Sequence, residues 1–236
     1  ADFPLSRSYI AMLSETGATP VVQSKWFATV VVESPDSTVA EQLQQLAIVD
    51  SVKWIWKGNL RVPAEEKWED RFVSEDEPLH NEYGYSYKQI KMLNGTKLHE
   101  AGFRGEGMRV AVIDAGFMNA DRVSAFDSLR LLGTHNVVFP GKSVFVGDDH
   151  GTKVLSCLAA DIPGVMVGTA PKASYLLLKS EDSDSEYPVE EDYWTAAVEY
   201  ADSAGVDVIS SSLGYFAFDT DELSYDQDAL DGRTAM

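Results

Sequence analysis

Hydrophobic positions change their spacing along the chain. After residue 87, continuous apolar runs alternate with segments that have helical spacing. The runs MRVAVID, ASYLLLKS and VDVISSSLG have the composition of parallel strands that are buried on both faces. The segments HGTKVLSCLAA and EEDYWTAAVEYADSAG predict helices between those strands. This alternation predicts an α/β fold, with a mostly parallel sheet and helices on both of its faces.

Residues 1–57 have a different pattern, which predicts a small α+β unit. SRSYIAMLSETG has helical spacing and ends at a glycine, as helices often do. TPVVQSKWFATVVVES is rich in β-branched and aromatic residues and predicts two strands that meet near Ser24 and Lys25. SPDSTVAEQLQQLAIV predicts a second helix, and SVKWIWKG alternates like a half-buried strand. The predicted order is α-β-β-α-β.

Residues 58–86 are acidic, contain two prolines and have no sustained periodicity. This composition predicts an exposed linker between residues 1–57 and residues 87–236. The linker is either a solvated loop or a junction that is cleaved.

Charge and composition exclude several classes of function. The 236 residues carry 38 acidic and 19 basic side chains, for a net charge of -19, which disfavours nucleic acids and anionic membranes as partners. No apolar run approaches the length of a membrane span, and ADFPLSRSYI lacks the features of a signal peptide. The single cysteine, Cys157, permits no internal disulfide, and we expect it to be a buried apolar residue on its helix.

Two ionisable residues stand where a parallel sheet carries its chemistry. Asp114 ends the run VAVID and precedes two small residues, so its carboxylate is expected at the carboxyl edge of the sheet. His150 opens a helix that Asp148 or Asp149 can cap, and a neutral imidazole there suits a general base. The plainer alternatives are an aspartate that caps a turn and a surface histidine at a helix start.

Two other patterns admit more than one interpretation. Gly105 and Gly107 precede the strand, whereas a dinucleotide-binding loop needs its glycines after the strand, so nucleotide binding is disfavoured. SSSLGY, residues 210–215, follows a buried strand but lacks the G-x-S-x-G pattern of a nucleophile. It is either a strand edge that pairs with an extended peptide or a plain loop.

Three motifs in order, VAVIDAGF, HGTKV and ISSSLGY, resemble the aspartate, histidine and substrate-strand motifs of the subtilisin-like serine proteases. The flanking segments YSYKQIKMLNGTKLHEAGFRGEGMRVAVID and VGTAPKASYLLLK are also similar to that family, so the resemblance covers about residues 85–236. Residues 1–57 resemble the ferredoxin-like prodomain of the family, without its first strand.

The resemblance implies a role for each matched residue. Asp114 would orient the imidazole of His150, which would take the proton of a serine nucleophile and pass it to the leaving amine. A polypeptide substrate would bind in a groove between two segments. The backbone of the first segment would hold the substrate as an added strand, and the second, more loosely matched segment would form the opposite wall of the groove. The first segment is Ser212, Leu213 and Gly214; the second is Ser185, Glu186 and Tyr187.

The resemblance also carries expectations about partners and cofactors. The acids of the second segment predict tolerance of basic side chains in the substrate. The prodomain would assist folding and block the groove, and the linker would contain the maturation site. Calcium sites are common in the family, but the sequence identifies no calcium ligand set. It identifies no site for another metal either. The resemblance implies a secreted or cell-surface protein, bacterial and extracellular.

The nucleophile motif of the family, G-T-S-[AM], and its oxyanion-hole asparagine are absent from the 236 residues. We therefore expect this chain to carry only the aspartate and histidine of a triad and to be inactive alone. The expected partner is a carboxy-terminal half of the catalytic domain. The alternative is a pseudoprotease, a peptide-binding module that has lost its nucleophile.

Overall fold

The computed structural model describes residues 3–56, 81–229 and 231–232. Its contacts divide the chain into two compact units. The first unit comprises Ala1–Arg61, Asp184–Glu199 and Gly214–Met236, and the second comprises Val62–Ser183 and Tyr200–Leu213. Most of the predicted linker at 58–86 lies outside the described residues, and the domain boundaries stay predictions.

The amino-terminal part of the first unit has the predicted helices and hairpin. Its elements are α1 (Arg7–Glu15), β1 (Thr19–Ser24), β2 (Thr29–Glu33) and α2 (Thr38–Gln44). The two strands pair antiparallel around a turn in which Ala28 has a positive φ of 55°. Leu13, Val39 and Leu43 are buried together, because their helical spacing places apolar side chains on one face of each helix.

The third strand predicted for residues 51–58 is wrong for the part that the structure describes. Residues 51–56 form no strand. Alternating side chains produce a strand only where a neighbouring backbone supplies a ladder of hydrogen bonds, and the described hairpin has two strands, β1 and β2. Trp54 is consequently exposed.

The second unit contains a four-stranded parallel sheet. In chain order the elements are α3 (Tyr87–Met92), α4 (Gly95–Glu100), β3 (Arg109–Asp114), β4 (Arg130–Asn136), α5 (His150–Ala159), β5 (Asp161–Ile162), β6 (Met166–Val167), β7 (Ser174–Lys179), α6 (Val189–Ser203) and β8 (Val208–Ser211). α6 begins in residues assigned to the first unit. The strand order is β4-β7-β3-β8, and β5 pairs antiparallel with β6.

The strands and helices predicted after residue 87 are present as β3, α5, β7, α6 and β8. The predicted burial of β8 is wrong: β8 is an edge strand in which three of the four residues are exposed, among them Val208 at 52%. β4 was not predicted, because it lies at an edge of the sheet, is largely exposed and contains Gly133. No helix among the described residues has the length and apolarity to cross a membrane.

Side chains alternate between the two faces of the sheet, so every second residue of a strand shares a face. Val110 and Val112 of β3 pack with Tyr175 and Leu177 of β7 against Leu155 of α5. On the opposite face, the ring of Tyr200 in α6 stacks on His135 of β4, with ring centroids 4.5 Å apart. Helices therefore cover both faces, as predicted.

The parallel strands end in register. Asp114 lies opposite Lys179, and Asn136 lies opposite Lys179 on the other side. Ser211, the last residue of β8, lies opposite Ile113. The carboxyl ends of four strands therefore meet at one edge, and Asp114 is on the same face as Val110 and Val112, the face that α5 covers.

Candidate active site

The carboxylate of Asp114 is fully buried at the end of β3. Its Oδ1 accepts two hydrogen bonds, from the amide of Ala115 at 2.8 Å and from Nδ1 of His150 at 2.7 Å. Its Oδ2 is buried and has no hydrogen-bond partner among the described residues. The sheet edge therefore presents a carboxylate that is fixed through one oxygen.

His150 is the first residue of α5, and its orientation follows from the helix start. The amide of His150 donates to Oδ1 of Asp148 at 2.7 Å, so Asp148 satisfies one free amide of the first turn. The N-cap residue is Asp149, whose side chain makes no capping hydrogen bond and forms an ion pair with Lys153. Because Nδ1 faces a carboxylate, Nδ1 carries the proton and Nε2 is left as the acceptor. The imidazole side chain is 51% exposed.

Close backbone packing brings the histidine helix to the aspartate. A Cβ on Gly151 would lie 2.4 Å from the carbonyl oxygen of Gly116 and 2.9 Å from Cβ of Asp114. The hydroxyl of Thr152 also donates to the carbonyl of Met118 at 2.9 Å. Any side chain at position 151 would push α5 away from the end of β3, so this glycine sets the distance between His150 and Asp114.

Burial raises the pKa of Asp114 above its ordinary value, because desolvation penalises the anion. The hydrogen bonds from His150 and Ala115 lower the pKa of Asp114 and partly offset burial. The charge of nearby Asp148 raises the pKa of Asp114 further. Of the groups that offset the desolvation of the Asp114 carboxylate, the imidazole of His150 therefore has the largest effect.

The predicted substrate-strand residues follow β8 directly. Ser212 and Leu213 belong to the second unit; Ser212 is exposed and Leu213 is half-buried. Gly214 belongs to the first unit and is exposed, and a Cβ placed on it would meet no atom within 4 Å. The backbone at these positions is open to solvent, as an edge that receives a peptide must be.

Ser185, Glu186 and Tyr187 are half-buried in the first unit. The amide of Glu186 donates to Oδ2 of Asp219 at 3.2 Å, and the amide of Asp219 donates to the carbonyl of Glu186 at 2.9 Å. Burial, and then the charge of Asp219, raise the pKa of the Glu186 carboxyl. The ring of Tyr187 meets that of Trp56 edge-on, with centroids 6.2 Å apart.

Two other expectations concern Cys157 and metals. Cys157 is exposed on α5, so its predicted burial is wrong: Leu155 and Ala159 occupy the face of the helix that meets the sheet. Within residues 3–56, 81–229 and 231–232, no group of three or more His, Cys, Asp or Glu residues is arranged to hold a metal ion.

Comparisons with known proteins show which proteins this chain is similar to. Residues 1–71 match the family model described as "Peptidase S8 propeptide domain, Bacteroidota". Subtilisin E of Bacillus subtilis is 32% identical over 147 residues, which cover 61% of this chain and 36% of the relative. The major intracellular serine protease of Bacillus subtilis is 31% identical over 133 residues, which cover 53% of this chain and 40% of the relative. These matches support a resemblance of this chain to the amino-terminal portion of the subtilisin-like serine proteases, the subtilases.

A solved structure supports the fold of this chain. Fervidolysin from Fervidobacterium pennivorans, a keratinolytic enzyme related to subtilisin, matches 90% of the chain with a TM-score of 0.57 at 16% identity. The match covers 35% of fervidolysin. The chain thus spans between about a third and two fifths of the length of these three proteins.

Some features of the candidate site were not predicted from the sequence motifs. The motifs did not predict the contact of Gly151 with Gly116, which permits the close approach of the helix to the strand. The apolar run predicted β7 but not the burial of its last residue, Lys179, which is 2% exposed and lies beside Asp114 in the sheet. A charged residue that ends the apolar run ASYLLLK was the available signal.

We expect Gly151→Ala to destabilise the second unit by about 1–3 kcal/mol, because the new Cβ meets backbone that cannot rotate away. Urea denaturation measures this change. Gly133→Ala is the matched control, since its Cβ would make only an ordinary contact, 3.7 Å from Cδ1 of Leu176. Equal stability of the two variants would contradict the close approach.

We expect the stability of Asp114→Asn to rise relative to that of the unchanged chain as the pH increases from acid to neutral. The folded-state pKa of Asp114 is raised above the unfolded value of about 3.9, so the folded chain binds the extra proton in that window and loses stability as the proton leaves. Denaturation at a series of pH values gives the difference. Asp202→Asn, at an exposed site in α6, should show no such trend.

Proposed function

We propose that this protein is a serine endopeptidase in which Asp114 and His150 are the acid–base pair and the nucleophilic serine comes from outside these 236 residues. The 2.7 Å bond between Nδ1 of His150 and Oδ1 of Asp114 carries the proposal. With Nδ1 protonated, Nε2 can take the proton of a serine hydroxyl as that oxygen attacks a peptide carbonyl. The buried carboxylate stabilises the imidazolium that forms, and Nε2 then gives its proton to the leaving amine.

The nucleophile and the oxyanion-hole donor are parts of this proposal that the chain itself does not supply. The G-T-S-[AM] motif is absent from the sequence, and the chain spans 36% of subtilisin E. Loss of even one oxyanion donor costs about 10²–10³ in rate, so we expect these 236 residues to be inactive alone. A carboxy-terminal half of the catalytic domain is the proposed partner.

A polypeptide in extended conformation is the proposed substrate. The exposed backbone at Ser212–Gly214 continues β8, and such an edge binds a peptide by main-chain hydrogen bonds. Glu186 lies beside Asp219. Burial and the charge of Asp219 both raise the pKa of Glu186, so both disfavour its carboxylate anion. A lysine or arginine of the substrate would relieve that repulsion, so basic side chains are the proposed preference at this wall.

Residues 1–57 are the proposed prodomain, and α6 is the element on which it docks. The carboxylate of Glu199 in α6 accepts three hydrogen bonds from the β1–β2 turn: from Oγ of Ser24 at 2.6 Å, from the amide of Lys25 at 3.1 Å and from the amide of Trp26 at 3.1 Å. Glu199 is buried, so these charge-assisted bonds also compensate its desolvation. Trp56 adds a second contact, on Tyr187.

A prodomain supports a secreted or cell-surface location, because a protease that is held inactive during synthesis cannot damage the cell that makes it. Maturation would then cut the segment between residues 57 and 87. Detection of the protein only in the cytosol of its source cells would contradict this location.

We expect Asp114→Asn to lower the peptide-cleavage rate of the complete encoded protein by about 10⁴-fold and His150→Ala to lower it by about 10⁶-fold, as loss of these triad members does. Initial rates on extended peptides measure this, and a fluorophosphonate probe reports the nucleophile. Peptides that differ only in a basic or neutral residue on the non-primed side test Glu186, with Glu186→Gln as the matched variant.

Three outcomes would contradict parts of the proposal. Absence of cleavage and of labelling in the complete protein would indicate a pseudoprotease that only binds peptides. Labelling of the 236-residue chain by itself would place the nucleophile within it. Equal rates on basic and neutral peptides would remove the proposed substrate preference.

We expect Glu199→Gln to increase the hydrogen-exchange rates of the Lys25 and Trp26 amides at least about fivefold in the intact chain. The side-chain NH₂ of glutamine is a donor and cannot accept the hydrogen bonds of this turn. The lost charge-assisted bonds correspond to roughly 1 kcal/mol, which is about fivefold in an equilibrium constant. Exchange measured by mass spectrometry or NMR gives the ratio. Glu41→Gln, at an exposed site in α2, is the control. Unchanged exchange in Glu199→Gln would show that the turn does not depend on this carboxylate.

A further inference from the structure

Lys179 occupies an unusual position at the end of β7. It lies in register with Asp114 on the neighbouring parallel strand, so the two side chains are on the same face of the sheet. That is the face of Tyr175 and Leu177, which precede Lys179 on β7 and pack into the apolar core. Only 2% of Lys179 is exposed.

The ammonium group of Lys179 is bound to the turn that follows Asp114. Its Nζ donates to the carbonyl oxygen of Ala115. The amide of the same residue, Ala115, donates to Oδ1 of Asp114 at 2.8 Å, and this oxygen also receives Nδ1 of His150. One residue therefore links the buried cation to the carboxylate oxygen that orients the imidazole.

A lysine is a costly choice for this position if it serves stability alone. Burying an ammonium costs free energy that an apolar side chain would not cost, and the preceding residues on this face are apolar. The cation donates a hydrogen bond to the carbonyl of Ala115, in a turn that backbone bonds such as Phe117 to Val144 and Met118 to Asp148 also hold.

We propose that Lys179 is a positioning residue for the acid–base pair: by holding the carbonyl of Ala115, it fixes the turn whose amide aims Oδ1 of Asp114 at His150. The inference rests on the proposed function, since it assigns Lys179 a part in that reaction. It acts through Ala115, to whose carbonyl its Nζ donates.

The test is proton NMR of the intact 236-residue chain. A proton on Nδ1 of His150 that is bound to a carboxylate gives a downfield resonance, which Asp114→Asn should remove. We expect Lys179→Met to shift or broaden this resonance, and Lys179→Arg, which keeps charge and donors, to retain it in part. Leu177→Ala, on the same strand and face, is the control for lost stability and should leave the resonance in place.

A reciprocal measurement needs no variant of Lys179. If the ammonium of Lys179 and the carboxylate of Asp114 are coupled, Asp114→Asn must shift the ammonium resonance of Lys179 in a chain with ¹⁵N-labelled lysine. In the complete protein, Lys179→Met should lower kcat by up to about 10²-fold with little change in KM, as expected for a misplaced acid–base pair.

The outcomes separate the two proposals. If the unchanged chain shows no downfield resonance, or if Asp114→Asn leaves it unaltered, the acid–base pair itself is wrong. If the resonance depends on Asp114 but is identical in Lys179→Met, Lys179 has no positioning role. If Lys179→Met does not fold, an unshifted ammonium resonance in Asp114→Asn overturns the role equally.

Discussion

The hydrogen bond between Nδ1 of His150 and Oδ1 of Asp114 depends on how closely α5 can approach the end of β3. The first turn of the helix lies directly on the backbone after the strand, with Gly151 against the carbonyl of Gly116. This contact leaves no room for a side chain, and it places the imidazole 2.7 Å from a carboxylate that is otherwise sealed from water. The chemistry of the site therefore follows from a packing constraint.

The electrostatics of the site are consistent with that constraint. Burial raises the pKa of Asp114, so the carboxylate needs donors to remain an anion, and the structure supplies the imidazole and the amide of Ala115. Lys179 binds the other end of Ala115. The first unit uses a similar device at Glu199, where a buried carboxylate is compensated by three donors from one turn. In both places a buried charge fixes a particular backbone segment.

Several features were predictable because they are encoded locally. The apolar runs predicted β3, β7 and β8, and the helical spacing predicted α1, α2, α5 and α6. The edge strand β4 was missed because Gly133 and polar residues interrupt its apolar run, RLLGTHN. Residues 51–56 were assigned a strand because alternation does not report whether a partner strand exists. The exposure of Cys157 was missed because three other residues of α5 fill the buried face.

The sequence by itself determined the alternation of strands and helices, the positions of Asp114 and His150 at their ends, and the resemblance to the subtilases. Periodicity and end signals act over a few residues, so they can be read along the chain. Only the tertiary structure decided that these two side chains share a proton across 36 residues, that Lys179 holds the turn beside them, and that Glu199 binds a turn 175 residues away. Such contacts depend on backbone distances of a few ångströms between elements, which the spacing of residues along one element does not specify.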